Sequence, residues 1–387
     1  MSTLIQNGTV LTNSRRSRLD VRLDGGVISE LAPSLPPKRG ETVIDAAQLY
    51  VVPGFLDIHT HGGANVDVNH ASEADLEKIS VFFASHGVTG WQCSILTDTE
   101  EQTLWCIEQV KKYVHADHPG ARLLGIHLEG PFLSRDYRGS MPEHLLRTEL
   151  DVELVRRYQE AAGGLIHYMT VSPEVAGTTE AVPKIRAMGI HLSIGHSGAD
   201  YDTSWSAIRA GVEAATHTMN AMLLLHQHRP AITGAVLESD VYCEVICDGV
   251  HLHPGTVRLI LKTKGLDKVV AITDSIMAAG LPDGQYKLGV NDVTVTNGDA
   301  KITGSDIRAG STLTMDRALQ NLVRFTCREP EAVLPLLTEN PAKLLGLASQ
   351  GSVAVGMRGD LALLTHELTV DQTIVSGQCQ YSRSARA

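Results

Sequence analysis

The hydrophobic and polar residues of the chain follow two different patterns. From about residue 55 to residue 345, short apolar segments that end in polar residues alternate with segments of helical periodicity. The helical segments are residues 73–79, 101–114, 152–162, 179–188, 204–210, 254–264 and 314–326. The apolar segments are residues 88–94, 123–129, 166–170, 191–196, 214–217, 243–248 and 269–274, and they join a first strand that runs into His59. Eight strands, each followed by a helix or a long loop, predict an α/β fold of the (β/α)8 TIM barrel type.

Both ends of the chain show a different texture, with the alternation of apolar and polar residues that is typical of β-strands. Residues 1–50 contain several such segments and the hairpin signal Asp24-Gly25-Gly26. Residues 351–377 have the same character. We therefore predict a small β-sandwich domain built from residues 1–54 and 350–387, around a barrel domain of residues 55–349.

Composition narrows the classes of function. The formal net charge is −11 and no basic stripe is visible, which argues against a nucleic acid partner. No apolar run approaches the roughly 20 residues that a membrane-spanning helix needs, so no membrane partner is expected. The six cysteines are dispersed and the start of the chain does not read as a secretory leader, which predicts a reduced, cytoplasmic protein. Seventeen histidines direct attention to metal or acid–base chemistry.

The most informative segment is residues 51–63, where an apolar strand leads into His59 and His61 and then into two glycines. Residues i and i+2 of a strand point to the same face, so both imidazoles can reach one point in space. Two imidazoles that share a point commonly share a metal ion. Taken alone, the segment is also compatible with a pair of ordinary surface or core histidines.

Other strand ends supply further polar residues. Glu129 follows the third strand, His196 the fifth, His217 the sixth and Asp274 the eighth. Each of these has a structural alternative, such as a hydrogen-bonded histidine or a helix cap. Together they would lie on the rim where barrels of this type keep their active sites, and burying so many ionisable groups without compensation is expensive. Metal ligation explains the whole set.

The motifs that carry these residues resemble the amidohydrolase superfamily, and within it the N-acetylglucosamine-6-phosphate deacetylase family. The resemblance spans essentially the whole chain. It rests on residues 59–62 (HTHG), 127–132 (HLEGPF), 195–197 (GHS), 217–222 (HTMNAM), 273–275 (TDS), 279–284 (AGLPDG), 309–315 (AGSTLTM) and 340–346 (NPAKLLG). The most specific of these motifs is HLEGPF.

The resemblance implies a metal centre with one or two divalent ions per chain. The residues that match Glu129, His196 and His217 hold one metal in the family. Some members hold a second on residues that match His59 and His61, with the glutamate bridging, and this chain is similar to that two-metal branch. Zinc is our first choice, with iron, manganese and cobalt as alternatives that accept the same ligands. The residue that matches Asp274 is the catalytic general base and acid.

The implied reaction removes the acetyl group from N-acetylglucosamine 6-phosphate by attack of a metal-activated water, giving glucosamine 6-phosphate and acetate. The residues that match Asn220, Ala221, Arg229 and His251 contact the sugar phosphate. The arginine comes from a neighbouring subunit in at least some members. The expected partners are therefore a small amino sugar phosphate and a second copy of the chain in a homodimer.

Three departures from the family pattern bear on the substrate. Met141 stands where the family usually has a histidine that polarises the substrate carbonyl, so either the second metal or His144 would take that role. In the 217–222 motif, Thr218-Met219 replaces the usual Leu-Phe, a small change in the wall of the substrate site. The loop around Arg229 has lost a glutamate and a glycine. Three alternatives stay open: deacetylation of the galactosamine epimer, a cyclic amide hydrolase or deaminase, and a non-enzymatic role.

Overall fold

Seven short strands precede the barrel in the computed structural model, which describes residues 2–12 and 15–386. They are β1 (Ser2–Gln6), β2 (Thr9–Thr12), β3 (Arg15–Arg18), β4 (Asp20–Asp24), β5 (Val27–Ala32), β6 (Thr42–Asp45) and β7 (Tyr50–Pro53). Four of them form one sheet in the order β5-β4-β1-β6. The other three enter a second sheet that is completed from the far end of the chain.

Eight parallel strands then form one sheet. Between its first and second strands, the chain forms a separate small hairpin of β9 (Gly62–Gly63) and β10 (Val66–Asp67). The sheet has the order β17-β16-β15-β14-β13-β12-β11-β8. Its strands are β8 (Phe55–Thr60), β11 (Val88–Leu96), β12 (Arg122–Glu129), β13 (Ile166–Val171), β14 (His191–Ile194), β15 (Ala214–Ala215), β16 (Tyr242–Ile246) and β17 (Val269–Ile272). All eight predicted strands are present in sequential order, which confirms the TIM barrel.

Few contacts join the first barrel strand, β8, to the last, β17. The carboxylate of Asp57 in β8 links the two strands by hydrogen bonds. The Asp274 amide donates to the His59 carbonyl at 2.9 Å. Below it, Asp57 accepts from the hydroxyl of Thr273 at 2.5 Å and from its amide at 3.3 Å. Burial raises the pKa of Asp57 to about 6, although these hydrogen bonds act in the opposite direction. His59 and Asp274 therefore meet where these two strands adjoin.

The helices lie outside the barrel, and several of them begin at a residue whose side chain caps the first turn. Ser72 and Asp75 form a capping box, and Asp151 and Asp200 accept from the first-turn amides of their helices. No helix within residues 2–12 and 15–386 is long and apolar enough to cross a membrane. The helices are α1 (Glu73–Ala84), α2 (Glu100–Val114), α3 (Val152–Ala161), α4 (Thr178–Arg186), α5 (Tyr201–Ala210), α6 (Ala231–Glu238), α7 (Pro254–Lys264), α8 (Met315–Thr326), α9 (Pro330–Val333) and α10 (Glu339–Leu344), with 3-10 turns at Val68–His70, Glu143–Leu145, Leu334–Leu336 and Arg383–Arg386.

A three-stranded antiparallel sheet follows the last barrel strand and was not predicted. It consists of β18 (Gly284–Leu288), β19 (Asn291–Thr296) and β20 (Asp299–Ile302). Its inner face packs on Leu96, Leu133 and Met141, beside the mouth of the barrel. The signal was present in the sequence, since Asn297-Gly298 between two alternating segments is typical of a two-residue hairpin.

The chain ends with β21 (Leu361–Leu364), β22 (Val370–Val375) and β23 (Gln378–Ser382). They complete a six-stranded sheet in the order β23-β22-β21-β7-β2-β3, so strands from both chain ends are hydrogen-bonded together. Apolar residues of this sheet and of the four-stranded sheet share a core that includes Ile5, Val51 and Leu363. The sandwich built from both ends is confirmed. The domain limits 1–54, 55–349 and 350–387 stay a prediction.

Candidate metal centre

The six residues expected at the metal centre converge at the carboxyl ends of the barrel strands. The structure gathers them into two buried groups, and within each group the ligand atoms lie within 4.8 Å of one another. Gly62 ends the first strand tightly, because a Cβ there would lie 2.2 Å from the Val66 carbonyl oxygen. The first group is His59, His61 and Asp274, and the second is Glu129, His196 and His217.

Glu129 stands between the two groups. Its Oε1 atom lies 3.2 Å from His196 Nε2 and 3.1 Å from His217 Nε2. Its Oε2 atom lies 3.2 Å from His61 Nε2, and its Oε1 atom lies 3.4 Å from His59 Nε2. One carboxylate therefore reaches all four imidazoles, which is the arrangement required of a bridging ligand.

Hydrogen bonds on the outer side of the rings determine which nitrogen faces inward. His61 Nδ1 lies 2.8 Å from the Ser94 carbonyl, and His196 Nδ1 lies 3.0 Å from the Tyr137 carbonyl. A carbonyl oxygen can only accept, so Nδ1 carries the proton in both rings. The Nε2 lone pairs then point into the site, as in metal-bound histidines.

Asp274 completes the first group, and its backbone is in the left-handed region. Its Oδ1 atom lies 3.1 Å from His61 Nε2 and 3.6 Å from His59 Nε2. The backbone at Asp274, His196 and His217 has φ values of 49°, 47° and 29°. L-residues rarely adopt this left-handed region, and such residues cluster at functional sites. Three strand ends are thus bent so that their side chains face the same space.

The electrostatics of the site favour a positive charge at its centre. Burial lowers the pKa of His61, but Asp274 and Glu129 outweigh this and raise it to about 9. The Glu129 carboxylate likewise raises the pKa of His59 well above its usual value, against burial. The pKa of Glu129 is well below its usual range, because the surrounding imidazoles outweigh the effect of burial. Nitrogen and carboxylate ligands around a cation-attracting centre fit a divalent metal such as zinc.

A cavity of about 440 Å³ opens above these residues. Four of the five expected substrate residues line it: Met141, Asn220, Ala221 and His251. Asp248 fixes His251 through a 2.6 Å contact between its carboxylate and Nδ1, and Asn220 donates to the His217 carbonyl at 3.1 Å. The predicted substrate residues, apart from one, are therefore adjacent to the metal centre.

The exception is Arg229, which does not line the cavity. It lies in the exposed tight turn of residues 226–229, where the His226 and Arg229 backbones exchange hydrogen bonds. His144 is also exposed and is not among the lining residues. Met141 is buried in the apolar cluster formed with the β18–β20 sheet, and it presents a thioether to the cavity.

Several residues of the site are not evident from the sequence pattern. Arg138, Leu288 and Arg308 line the cavity. Leu288 belongs to the unpredicted sheet and Arg308 to the loop after it. Glu244 is fully buried and contacts His59. A glutamate in the middle of the apolar strand β16 was the available signal, because glutamate is almost never fully buried without a partner.

Comparison with known proteins places the chain in a family. It matches the amidohydrolase family over residues 50–379. N-acetylglucosamine-6-phosphate deacetylase of Bacillus subtilis is 34% identical over 93% of this chain and 92% of its own length. N-acetylgalactosamine-6-phosphate deacetylase of Escherichia coli O157:H7 is 31% identical over 92% of this chain and 93% of its length.

A solved structure agrees with these relatives. It is a mutant of N-acetyl-D-glucosamine-6-phosphate deacetylase from Mycobacterium smegmatis in complex with N-acetyl-D-glucosamine-6-phosphate. It superposes with a TM-score of 0.91 at 31% identity, covering 98% of this chain and 100% of that chain. The chain therefore belongs to the amidohydrolase family, and within it groups with the N-acetylglucosamine-6-phosphate deacetylases.

Proposed function

We propose that the chain hydrolyses the acetamide of N-acetylglucosamine 6-phosphate to glucosamine 6-phosphate and acetate. The observation that carries the proposal is the buried set of four histidines, Glu129 and Asp274 at the base of the 440 Å³ cavity. When bound there, a divalent metal supplies Lewis acidity, polarising a carbonyl and lowering the pKa of a water from 15.7 to about 7. Family membership gives the class of substrate.

Asp274 is the proposed general base and acid. Burial raises the pKa of its carboxyl, but the His61 and His59 imidazoles outweigh burial and lower it. Asp274 is therefore ionised at neutral pH and can accept the proton of the attacking water at Oδ1. It then delivers that proton to the amine nitrogen as the C–N bond breaks, because an amine leaves readily only when protonated.

His251, Asn220 and Ala221 are proposed to hold the sugar phosphate. They line the wall of the cavity beside the metal centre, and Asp248 leaves the Nε2 atom of His251 free for a phosphate oxygen. Arg229 is exposed and does not line the cavity of its own chain. This position suits a residue that serves the site of a neighbouring subunit. We therefore propose a homodimer in which Arg229 crosses the interface.

The proposed metal content is two ions per chain, with zinc as the first choice. One position uses His59 and His61, the other uses His196 and His217, and Glu129 reaches both. Metal analysis of the purified protein tests this directly. A His59→Ala variant should lose one equivalent, and unchanged metal content in that variant would contradict a role for the first position.

The compartment proposed for this enzyme is the cytoplasm. All six cysteines are free, and four of them are buried. Unpaired cysteines are usual in a reducing compartment.

Acetate release is the decisive test of the reaction. Metal-replete protein is assayed with N-acetylglucosamine and N-acetylgalactosamine, each with and without the 6-phosphate. We expect a strong preference for the phosphorylated glucosamine derivative. The galactosamine epimer is the second candidate, because a deacetylase of that epimer is 31% identical to this chain. Absence of release from all four compounds would contradict the proposed function.

A further inference from the structure

Glu244 is a buried carboxylate that the proposed reaction does not use. It stands in the middle of β16, its side chain points into the barrel, and its exposed fraction is 0%. A buried charge is expensive unless hydrogen-bond donors surround it. The partners of Glu244 therefore indicate why it is present.

All of its partners are donors, and two of them belong to the metal centre. One oxygen, Oε1, accepts from the Tyr168 hydroxyl at 2.7 Å. The other, Oε2, lies 3.0 Å from His59 Nδ1 and accepts from the His217 amide at 3.2 Å. Three donors thus surround the carboxylate, and it contacts one ligand residue from each group.

The His59 ring has no other recorded hydrogen-bond acceptor for its Nδ1 proton among the described residues. The neighbouring His127 is already paired with Ser94 and Thr170 at 2.9 Å each. A carboxylate on Nδ1 holds the proton there and leaves Nε2 as the metal-facing lone pair. His61 and His196 instead use backbone carbonyls for this purpose.

We infer that Glu244 is a positioning residue for the metal position formed by His59 and His61. It fixes the tautomer and orientation of His59 and makes the ligand more basic, as outer carboxylates do in metal sites. The inference rests on the proposed metal centre. His59 and Glu244 would then act as one unit, so that removal of either side chain empties the metal position formed by His59 and His61.

The test is a zinc titration of metal-free protein, followed by metal analysis, for wild type, four variants of the site and one control variant. Glu244→Ala should lose one zinc per chain and keep the other, as His59→Ala does. The double variant should lose no more than either single variant. Glu244→Gln keeps a hydrogen-bond acceptor for His59 but removes the charge. This variant should bind zinc at the position of His59 and His61 about 10–100-fold more weakly than wild type.

Glu213→Gln is the matched control, because Glu213 pairs with His191 and Arg186 away from the metal centre. It should bind both zinc ions with wild-type affinity. Thermal unfolding of each protein shows which variants are folded, and Glu244→Gln decides the question if Glu244→Ala does not fold. Unchanged affinity for both ions in Glu244→Gln, or a wild type that binds a single zinc, would overturn the inference.

The proposed function is tested separately by the acetate assay on the same wild-type sample. Deacetylation by a two-zinc wild type together with unaffected Glu244 variants would reject the positioning role alone. A wild type that binds two zinc ions but releases no acetate would reject the proposed function and leave the zinc titration to decide the role of Glu244.

Discussion

At the scale of single residues, the histidines of the site differ in what holds them. His61 and His196 are fixed by backbone carbonyls of Ser94 and Tyr137, which side-chain substitution cannot remove. His59 depends on one side chain, Glu244. Mutation of Glu244 can therefore remove the outer contact of the His59 ring, while the outer contacts of the His61 and His196 rings stay in place.

Replacing Asp274 by asparagine should separate metal binding from turnover. Asparagine cannot accept the proton of the attacking water, and a lost general base typically costs 10²–10⁴-fold in rate. We expect kcat to fall by about that factor, with the metal content close to that of wild type. Steady-state acetate release together with metal analysis measures both, and near wild-type kcat would remove Asp274 from the proposed chemistry.

Metal binding should release protons and weaken as the pH falls. In the metal-free protein the pKa of His61 is about 9 and that of His59 is well above its usual value. At neutral pH both imidazoles are therefore cationic, with a second proton in addition to the one on Nδ1. Zinc must displace these protons, which costs about a factor of ten in affinity per pH unit for each proton displaced.

Calorimetric titration with zinc at pH 7.5, in buffers of different ionisation enthalpy, counts the protons released. The His59→Ala variant should release fewer. An apparent affinity that is constant from pH 6 to pH 8 would contradict this account.

At the scale of elements, the four-stranded sheet contains an ion pair whose contribution depends on pH. Arg22 Nε lies 2.8 Å from Glu41 Oε1, and both side chains are almost fully buried. Burial raises the pKa of Glu41, but Arg22 and the Lys38 amide outweigh it and lower the pKa to about 2. A lowered carboxyl pKa stabilises the fold above the unfolded value of 4.5, and that contribution is lost as the pH falls towards 2.

Replacing Glu41 by glutamine should therefore destabilise the protein only above acidic pH. The expected loss is about 1.5–3 kcal/mol at neutral pH, the usual value for a hydrogen bond to a charged group. Urea unfolding of both metal-free proteins from pH 2 to pH 7 measures the difference, which should shrink below pH 4.5. A difference that does not change with pH would show that the charge of Glu41 is not responsible.

The barrel strands and the metal-ligand candidates could be predicted from the sequence, because the apolar segments and the polar residues at their ends indicate the same fold. Each apolar segment ends in a polar residue, and parallel strands bring those ends to one rim. The metal residues His59, Glu129 and His217 follow from this rule alone. Their grouping into two sets depends on distances across the barrel, so spacing along the chain does not give it, and only the family resemblance implied it.

Other features are not visible in the sequence, for physical reasons that differ from one feature to the next. The β18–β20 sheet follows the eighth strand, where a barrel usually continues with a helix, so its Asn297-Gly298 turn was not used. The role of Glu244 depends on Tyr168 and His59, which are far away in sequence and adjacent only in the fold. The exposure of Arg229 follows from the turn that holds it, which spacing along the chain does not reveal.

At the scale of the whole molecule, an exposed apolar segment follows the cavity residues Asn220 and Ala221. Leu223, Leu224 and Leu225 are consecutive and exposed, and they lead directly into the turn that carries Arg229. Exposed apolar segments of this kind are typical of interaction sites. This placement agrees with the proposed homodimer, since the segment that offers Arg229 also offers a surface to bury.

Mixing two inactive variants should restore activity if Arg229 serves the neighbouring subunit. Asp274→Asn and Arg229→Ala chains are unfolded together and refolded at equal concentration. Half of the dimers then contain both chains, and each has one complete site, so about one quarter of wild-type activity should return. Each variant refolded alone is the control, and no recovery in the mixture would mean that Arg229 acts in its own subunit or not at all.

The pairing of β7 with strands from both chain ends has a consequence for synthesis of the protein. β7 leads directly into the strand that carries His59, yet its partner β21 lies about 300 residues further along the chain. At translation rates of about 5–20 residues per second, that edge of β7 stays unpaired for roughly 15 to 60 seconds while the barrel is being made. An open apolar strand edge is a template for aggregation, so the nascent chain presents a chaperone substrate for most of its time on the ribosome.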